Sequence, residues 1–187
     1  MTLSPFTFHL SPFKIGIIGP ESTGKTTLAK ALAQQFHGTY VPEYAREYIE
    51  RKGTRDVSFD ELCAIARHQM DEIASLSGTD SAGLSAQRSV SPKDGLSVRR
   101  TVLFFDTELI VTKVWFDYAF GRVPEWLDEA IKRYPMDVYL LTAPDIPWQA
   151  DPARYHGSQA MRQELFDRYE AEIQALDIPY YIITHTS

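Results

Sequence analysis

A stretch near the start of the sequence carries the groups needed to hold a polyphosphate. Residues 19–26 read GPESTGKT and fit the spacing Gly-x-x-x-x-Gly-Lys-Ser/Thr, between an apolar stretch and a helical pattern. Such a loop turns backbone N–H groups inward, and the helix that follows adds positive potential. Lys25 would reach phosphate oxygens, and the Thr26 hydroxyl a Mg²⁺ coordination position. We predict that this phosphate loop (residues 19–27) binds the polyphosphate of a nucleotide through Gly19, Glu21, Ser22, Thr23, Gly24, Lys25, Thr26 and Thr27.

A carboxylate at the end of another apolar stretch supplies the second half of a nucleotide site. Residues 102–105 read VLFF and are followed by Asp106, as in a strand that ends in a metal-orienting acid. We therefore predict that Asp106 and Thr26 hold Mg²⁺. A cap for the helix beginning near Glu108 is the other interpretation of Asp106, and the two roles are compatible.

The elements that must position these residues alternate between strands and helices. Short apolar stretches indicate strands, and apolar residues at helical spacing indicate helices, one of which starts at the capping-box pair Ser58 and Glu61. Since parallel strands need crossovers, we predict an α/β, three-layer P-loop NTPase fold, a five-stranded parallel sheet with helices on both faces. The predicted strands are residues 14–18, 39–42, 101–105, 137–142 and 179–183, and the predicted helices are residues 25–36, 58–73, 108–120, 124–134 and 158–176.

The composition limits the class of protein. The 187 residues, 44% hydrophobic, suit one domain with its own core, and the net charge of −6 disfavours a broad grip on nucleic acid. Cys63 is the single cysteine, so no intrachain disulfide can form. The first residues lack the basic region of a signal peptide, and no apolar run reaches the ~18 residues that suggest a membrane span. We predict a cytoplasmic protein with small-molecule partners, while its oligomeric state stays open.

Three segments are expected to lie outside the core of this single domain, residues 1–187. Residues 1–12 form an N-terminal extension. Residues 75–98 are rich in serine and glycine and predict a flexible insert, because few large apolar side chains are available to order them. Residues 144–163 combine prolines, polar residues and arginines, and we interpret them as a lid.

Several motifs together resemble one family, the nicotinamide riboside kinase domain of NadR-type NAD-salvage proteins. The resemblance rests on GPESTGKTTLAKALA, EYAREY, FFDTELIVTKVW, YPMDVYLL and PDIPWQADPARYHGSQAMRQ, and the region from the first to the last of these segments covers about three quarters of the chain. The phosphate-loop motif is shared by many proteins, whereas its combination with the other segments is much more specific. The resemblance implies transfer of the γ-phosphoryl group of ATP to the 5′-hydroxyl of nicotinamide riboside, which yields nicotinamide mononucleotide.

Two carboxylates compete for the role of general base in such a reaction. Glu43 lies just beyond the second predicted strand, at the edge of the sheet where ligands of open parallel sheets bind. We favour Glu43 as base or hydroxyl ligand and Asp106 as the acid on the metal side, although spacing does not separate them. Arg46 is expected to contact phosphate or substrate, with a local ion pair at a helix start as the alternative. Glu108 is expected to contact substrate, in place of the aspartate that the resembled motif has there.

The predicted lid supplies the remaining candidates. Trp148 offers an aromatic face to a pyridinium cation, with packing on the sheet edge as the alternative, and Asp151 is expected near the substrate. Arg154 and Arg162 suit a lid that closes over ATP and offsets charge on the group in transfer, with solvated helix arginines as the alternative. Two aromatic residues on the helix after Asp106, Trp115 and Tyr118, are interpreted as core residues.

The sequence also departs from the resembled pattern. That domain continues into a helix after its last strand, whereas this sequence ends at Ser187, so the sequence leaves open whether the adenine pocket is complete. No adenylyltransferase domain is expected before the phosphate loop. Two other functions stay open: a P-loop kinase of another nucleoside or nucleotide, and an ATP-binding regulatory module without a small-molecule acceptor.

Overall fold

A five-stranded sheet forms the centre of the computed structural model, which describes residues 11–78, 100–148 and 158–185. All four strand pairings are parallel, in the order β2-β3-β1-β4-β5. The predicted α/β fold with a five-stranded parallel sheet is therefore confirmed. The strands are β1 (Phe13–Ile18), β2 (Thr39–Val41), β3 (Val102–Asp106), β4 (Val138–Thr142) and β5 (Tyr180–Ile183).

The helices follow the predicted order, with one addition. Ser58 caps its helix through the complete capping box, in which its side chain accepts from the Glu61 N–H and the Glu61 carboxylate accepts from the Ser58 N–H. The added helix, α2, covers most of EYAREY, whose mixture of tyrosines and charges gave no apolar stripe. The helices are α1 (Lys25–Gln35), α2 (Tyr44–Lys52), α3 (Phe59–Leu76), α4 (Leu109–Phe120), α5 (Glu125–Arg133) and α6 (Gln159–Ala175).

Hydrophobic cores lie on both faces of the sheet. Alternate residues of a strand point to opposite faces, so Ile17 and Phe104 pack against Ala29 and Ala33 of α1, while Ile18 joins the larger cluster on the other face. That larger cluster contains buried side chains from α3, α4, α5 and α6. The three predicted layers are thus confirmed.

The register of the sheet aligns the carboxyl ends of β1, β2 and β3. Ile17 of β1 lies opposite Asp106 of β3, and Val41 of β2 lies opposite Phe105. The carboxyl ends of these three neighbouring strands therefore finish at nearly the same level. The phosphate loop, Glu43 and the residues after Asp106 leave the sheet side by side.

The peripheral segments are described only in part. Ser75 and Leu76, assigned from sequence to the flexible insert, belong to α3, because Leu76 still packs against the larger core. The rest of that insert from residue 79, residues 1–10 of the extension and residues 149–157 of the lid lie outside the described residues. Within the described ranges, no helix is both long and apolar enough to cross a membrane.

Candidate active site

The phosphate loop is held in shape by two threonines. Thr23 donates to the Pro20 carbonyl oxygen at 2.8 Å, and its hydroxyl lies 2.6 Å from that of Thr142 at the end of β4. The Thr142 hydroxyl also lies 3.2 Å from the Ile18 carbonyl oxygen. Both threonines are buried. The bend is therefore fixed to β1 and β4.

Glycine is needed at both ends of this loop. Gly19 has φ of 148°, and a Cβ there would come within 2.7 Å of the Thr142 carbonyl oxygen. Gly24 has φ of 77° and caps α1, which starts at Lys25. The Lys25 ammonium group donates to the Pro20 carbonyl oxygen at 2.7 Å, so the lysine lies folded over the loop. The helix start and this ammonium group make the loop a site of positive potential.

Asp106 lies beside the loop in a buried position. Its Oδ2 accepts a hydrogen bond of 3.1 Å from the Tyr40 hydroxyl, and burial raises the pKa of that phenol well above its ordinary value. Among the described residues, the buried Oδ1 has no hydrogen-bond partner. A carboxylate oxygen left in this condition suits a hard cation or its water.

Glu108 caps the helix that follows Asp106. Its carboxylate accepts from the Ile110 N–H at 3.0 Å and caps α4, a role that the sequence left open for Asp106. The side chain is 3% exposed and bonds Tyr139, and it does not line the cavity described below. Burial raises the pKa of Glu108 to about 8. Glu108 thus faces the core and holds the start of α4, and its contact with substrate stays a prediction.

A cavity of about 390 Å³ extends from the phosphate loop to the helices above β2 and β3. Charged groups lie at the end near the loop, and apolar and aromatic side chains form the far end. Pockets with this division suit a ligand that has a polar reacting end and a flatter body. From α2 and the residues on either side of it, the cavity is lined by Glu43, Ala45, Arg46, Ile49, Arg55 and Val57; from α3 by Leu62 and Ile65; and from α4 and α6 by Val111, Thr112, Trp115, Tyr118, Ala119, Phe120 and Tyr169.

Glu43 supplies a carboxylate near the reacting end of this cavity. Burial raises the pKa of Glu43 to about 6, and the attraction of Lys25 and Arg46 opposes that rise. Its location at the carboxyl end of β2 agrees with the prediction. Arg46 also lines the cavity and pairs with Glu50 at 3.0 Å. This ion pair leaves the predicted phosphate contact of Arg46 as a prediction.

The aromatic end of the cavity was missed from sequence. Trp115 packs against the core and also lines the cavity, and its ring meets Tyr118 edge to face with centroids 5.7 Å apart. The Trp115 indole N–H donates to the buried Tyr169 phenol oxygen. Helical spacing alone indicated core positions for Trp115 and Tyr118, because a helix face that lines a cavity has the same periodicity as one that packs.

Trp148 does not line this cavity. It is half-buried in the segment after β4, and its indole N–H is buried without a hydrogen-bond partner among the described residues. Because Trp148 does not line this cavity, its contact with a pyridinium ring stays a prediction, as does its packing on the sheet edge. Asp151 and Arg154, the other lid candidates, lie outside the described residues.

Arg162 lies at the start of α6 and is 2% exposed. Its guanidinium donates to the Ile146 carbonyl oxygen at 3.0 and 2.9 Å and approaches the Ser22 carbonyl oxygen at 3.5 Å. The side chain connects α6 to the segment after β4 and to the phosphate loop. A contact with ATP would require these bonds to rearrange, and it stays a prediction.

Comparison with known proteins agrees with this geometry. A family model described as an AAA domain matches residues 14–187. The chain belongs to this AAA-domain family. This AAA domain is also similar to the "Trifunctional NAD biosynthesis/regulator protein NadR" of Escherichia coli (strain K12), with 30% identity over 150 residues, 80% of this chain and 33% of that protein. The resemblance to NadR stated from the motifs is thereby confirmed. The domain spans about a third of the length of that curated relative.

Solved structures share the fold of this AAA domain. A NadR protein in complex with NR superimposes with a TM-score of 0.64 at 22% identity, over 91% of this chain and 43% of that chain. A NadR protein in complex with NAD and AMP-PNP gives a TM-score of 0.63 at 23% identity, over 94% of this chain and 45% of that chain. At these identities the similarity establishes the architecture.

Proposed function

We propose that this AAA domain transfers the γ-phosphoryl group of ATP to the 5′-hydroxyl of nicotinamide riboside and forms nicotinamide mononucleotide. The observation that carries the proposal is that one cavity is lined by the phosphate loop, by Glu43 and by the aromatic pair Trp115 and Tyr118. The similarity to NadR, of which one solved structure contains NR, supports this choice of acceptor.

The donor end fits a nucleoside triphosphate with Mg²⁺. The Thr26 hydroxyl and the Asp106 carboxylate would hold the metal ion, and the buried, unpartnered Oδ1 of Asp106 among the described residues supports this fit. When bound, Mg²⁺ neutralises charge on the β- and γ-phosphates. Lys25 would exchange its bond to Pro20 for phosphate oxygens, since a phosphate is a stronger partner than a carbonyl.

The reaction follows from the order of groups along the cavity. The 5′-hydroxyl oxygen attacks the γ-phosphorus, and the bond from that phosphorus to the β,γ-bridging oxygen breaks, so ADP leaves with the electron pair. The hydroxyl proton passes to Glu43, whose pKa of about 6 suits a base at neutral pH. Asp106 remains the alternative base, although its bond to Tyr40 and its burial favour a role beside the metal.

The aromatic end of the cavity suits the cationic base of the acceptor. A pyridinium ring is flat and positively charged, so it is attracted to the faces of Trp115 and Tyr118. The carboxylates of Glu43 and Glu21 also line the cavity and add negative potential. Neutral nucleosides would gain the stacking but not the attraction between ring face and cation.

Coupled ADP release across nicotinamide riboside, uridine, cytidine and adenosine tests the proposal. We expect nicotinamide riboside to give the highest kcat/KM, and Trp115→Ala to raise its KM roughly tenfold with a smaller effect on the KM for ATP. Trp148→Ala is the matched control, with little effect on the riboside KM. Lys25→Ala gives the inactive baseline, because it removes charge stabilisation without changing the core.

Two outcomes would reject the assignment. Turnover with uridine or cytidine equal to that with nicotinamide riboside would indicate a different acceptor. A shift of the melting temperature by ATP without turnover of any acceptor would indicate a regulatory ATP-binding module.

A further inference from the structure

Thr107 has a backbone conformation that β-branched residues rarely adopt. It follows Asp106 directly and has φ of 74°, in the left-handed region. Its N–H donates to the Ile17 carbonyl oxygen at 3.0 Å, which ties the strained residue to β1. Strain of this kind persists only where the surrounding structure enforces it, and it is concentrated at functional sites.

The hydroxyl of Thr107 is buried and lacks a partner. The side chain is 6% exposed, and Oγ1 has no hydrogen bond to any residue that the structure describes. Threonine hydroxyls in protein interiors are normally satisfied, because an unpaired buried hydroxyl is unfavourable. Thr107 also lines the cavity. The missing partner is therefore expected among the molecules that enter the cavity.

The sheet register locates Thr107 between the donor and acceptor ends. Asp106 lies opposite Ile17, so Thr107 is level with Ile18, one residue before the phosphate loop. Phe105 lies opposite Val41, so the same residue is level with Glu43 on the other side. Thr107 thus occupies the strand end between the loop that would hold the triphosphate and the carboxylate that would hold the acceptor hydroxyl.

The strained turn places the side chains of Thr107 and Glu108 in different environments. Glu108 is turned into the core, where it caps α4 and bonds Tyr139. A positive φ at Thr107 accompanies this turn and leaves the threonine on the cavity wall. The hydroxyl of Thr107 adds no charge to the site and can donate one hydrogen bond.

We propose that Thr107 is a further catalytic residue, whose hydroxyl donates to an oxygen of the phosphoryl group in transfer. The charge of that group is spread over three equatorial oxygens in the transition state, so a fixed donor between the two reactants stabilises it. The assignment rests on the proposed phosphoryl transfer but not on the identity of the acceptor. Thr107 belongs to the segment FFDTELIVTKVW, but it is not among the candidate site residues named from the sequence.

The test compares Thr107→Val with Thr107→Ser in the wild-type sequence background. Valine keeps the shape and the β-branch but removes the hydroxyl, and we expect kcat to fall on the order of a hundredfold. The Kd for Mg-ATP, measured by calorimetry, should change by less than about threefold, because the interaction strengthens in the transition state. The melting temperature should be unchanged or higher, since an unsatisfied buried hydroxyl is lost.

Serine restores the donor and should keep kcat within about threefold of wild type. Thr101→Val, at the exposed residue before β3, is the remote control and should leave every value unchanged. A kcat for Thr107→Val near that of wild type would overturn the proposal. So would equal losses in the valine and serine variants, which would assign the effect to packing of the β-branch.

Acceptor-independent ATP hydrolysis separates this proposal from the proposed function. In that slow reaction water replaces the nucleoside, and Thr107→Val should still reduce the rate. If nicotinamide riboside were not the acceptor but hydrolysis fell in the valine variant alone, the function would be rejected and the role of Thr107 retained. Unchanged hydrolysis alongside active riboside phosphorylation would reject the role of Thr107.

Discussion

The carboxyl group of Glu43 links the acid–base chemistry of the site to pH. Burial raises its pKa to about 6, so the group is mostly ionised at neutral pH, as its proposed role as base requires, and is protonated in mild acid. We expect kcat/KM to fall as pH drops through about 6, and Glu43→Gln to lower kcat and remove this acidic limb. Initial rates from pH 5 to 8 measure both effects. An acidic limb that persists in Glu43→Gln would assign the base to Asp106.

The raised pKa of Glu43 also predicts that the stability of the folded protein depends on pH. A carboxyl whose pKa is higher in the folded protein than in the unfolded chain binds more protons when folded, so stability declines as pH rises from about 4.5 to about 6. Glu43→Gln should therefore be more stable than wild type above pH 6, by up to about 2 kcal/mol, and the gain should vanish below pH 4.5. Urea unfolding at both pH values measures it.

At the scale of single elements, α3 depends on its first turn. Ser58 accepts from the Glu61 N–H, and this helix presents Leu62 and Ile65 to the cavity. Ser58→Ala should lower the free energy of unfolding by about 1 kcal/mol, because an N–H at the helix start loses its acceptor. The KM for the acceptor should rise slightly as the first turn frays, while the KM for ATP stays constant.

Ser75→Ala is the matched control inside the same helix. Ser75 is exposed in α3, where alanine has the higher helix propensity, so the change should be neutral or slightly stabilising. Equal stability losses in the two variants would contradict a specific role for the cap.

At the scale of the whole molecule, Arg162 joins parts of the chain that are distant in sequence. Its bonds to Ile146 connect α6 to the segment after β4, and its approach to Ser22 connects both to the phosphate loop. Arg162→Met would leave these buried carbonyl oxygens without their donor. We expect a loss of roughly 2 to 4 kcal/mol in the free energy of unfolding, with partial recovery in Arg162→Lys.

The same variants decide between the observed bonds and the contact with ATP expected from sequence. A direct contact with ATP would raise the KM for ATP while stability stayed constant. If Arg162 instead connects these segments, the variants should lose stability while the KM for ATP changes little. Unfolding curves and the KM for ATP, measured on the same preparations, provide the comparison.

Much of the fold could be predicted from local patterns in the sequence. Strands such as β1 and β3 are apolar and short, and α1 starts where the glycine and lysine of the phosphate loop indicate. Helix α2 was not predicted, because its tyrosines and charges form no apolar stripe and its stability comes from neighbours such as α3. A ring contact between Tyr44 and His68, with centroids 3.6 Å apart, is one of these tertiary interactions.

The sequence by itself determined the phosphate loop, the acid after β3 and the parallel sheet, because each depends on residues close together in the chain or on simple periodicity. The tertiary structure alone decided which aromatic residues face the cavity, that Glu108 turns into the core, and that Thr107 is left strained beside Asp106. Those outcomes depend on how β3, α4 and α6 meet. Contacts between elements far apart in sequence leave no local pattern, so only the folded chain reveals them.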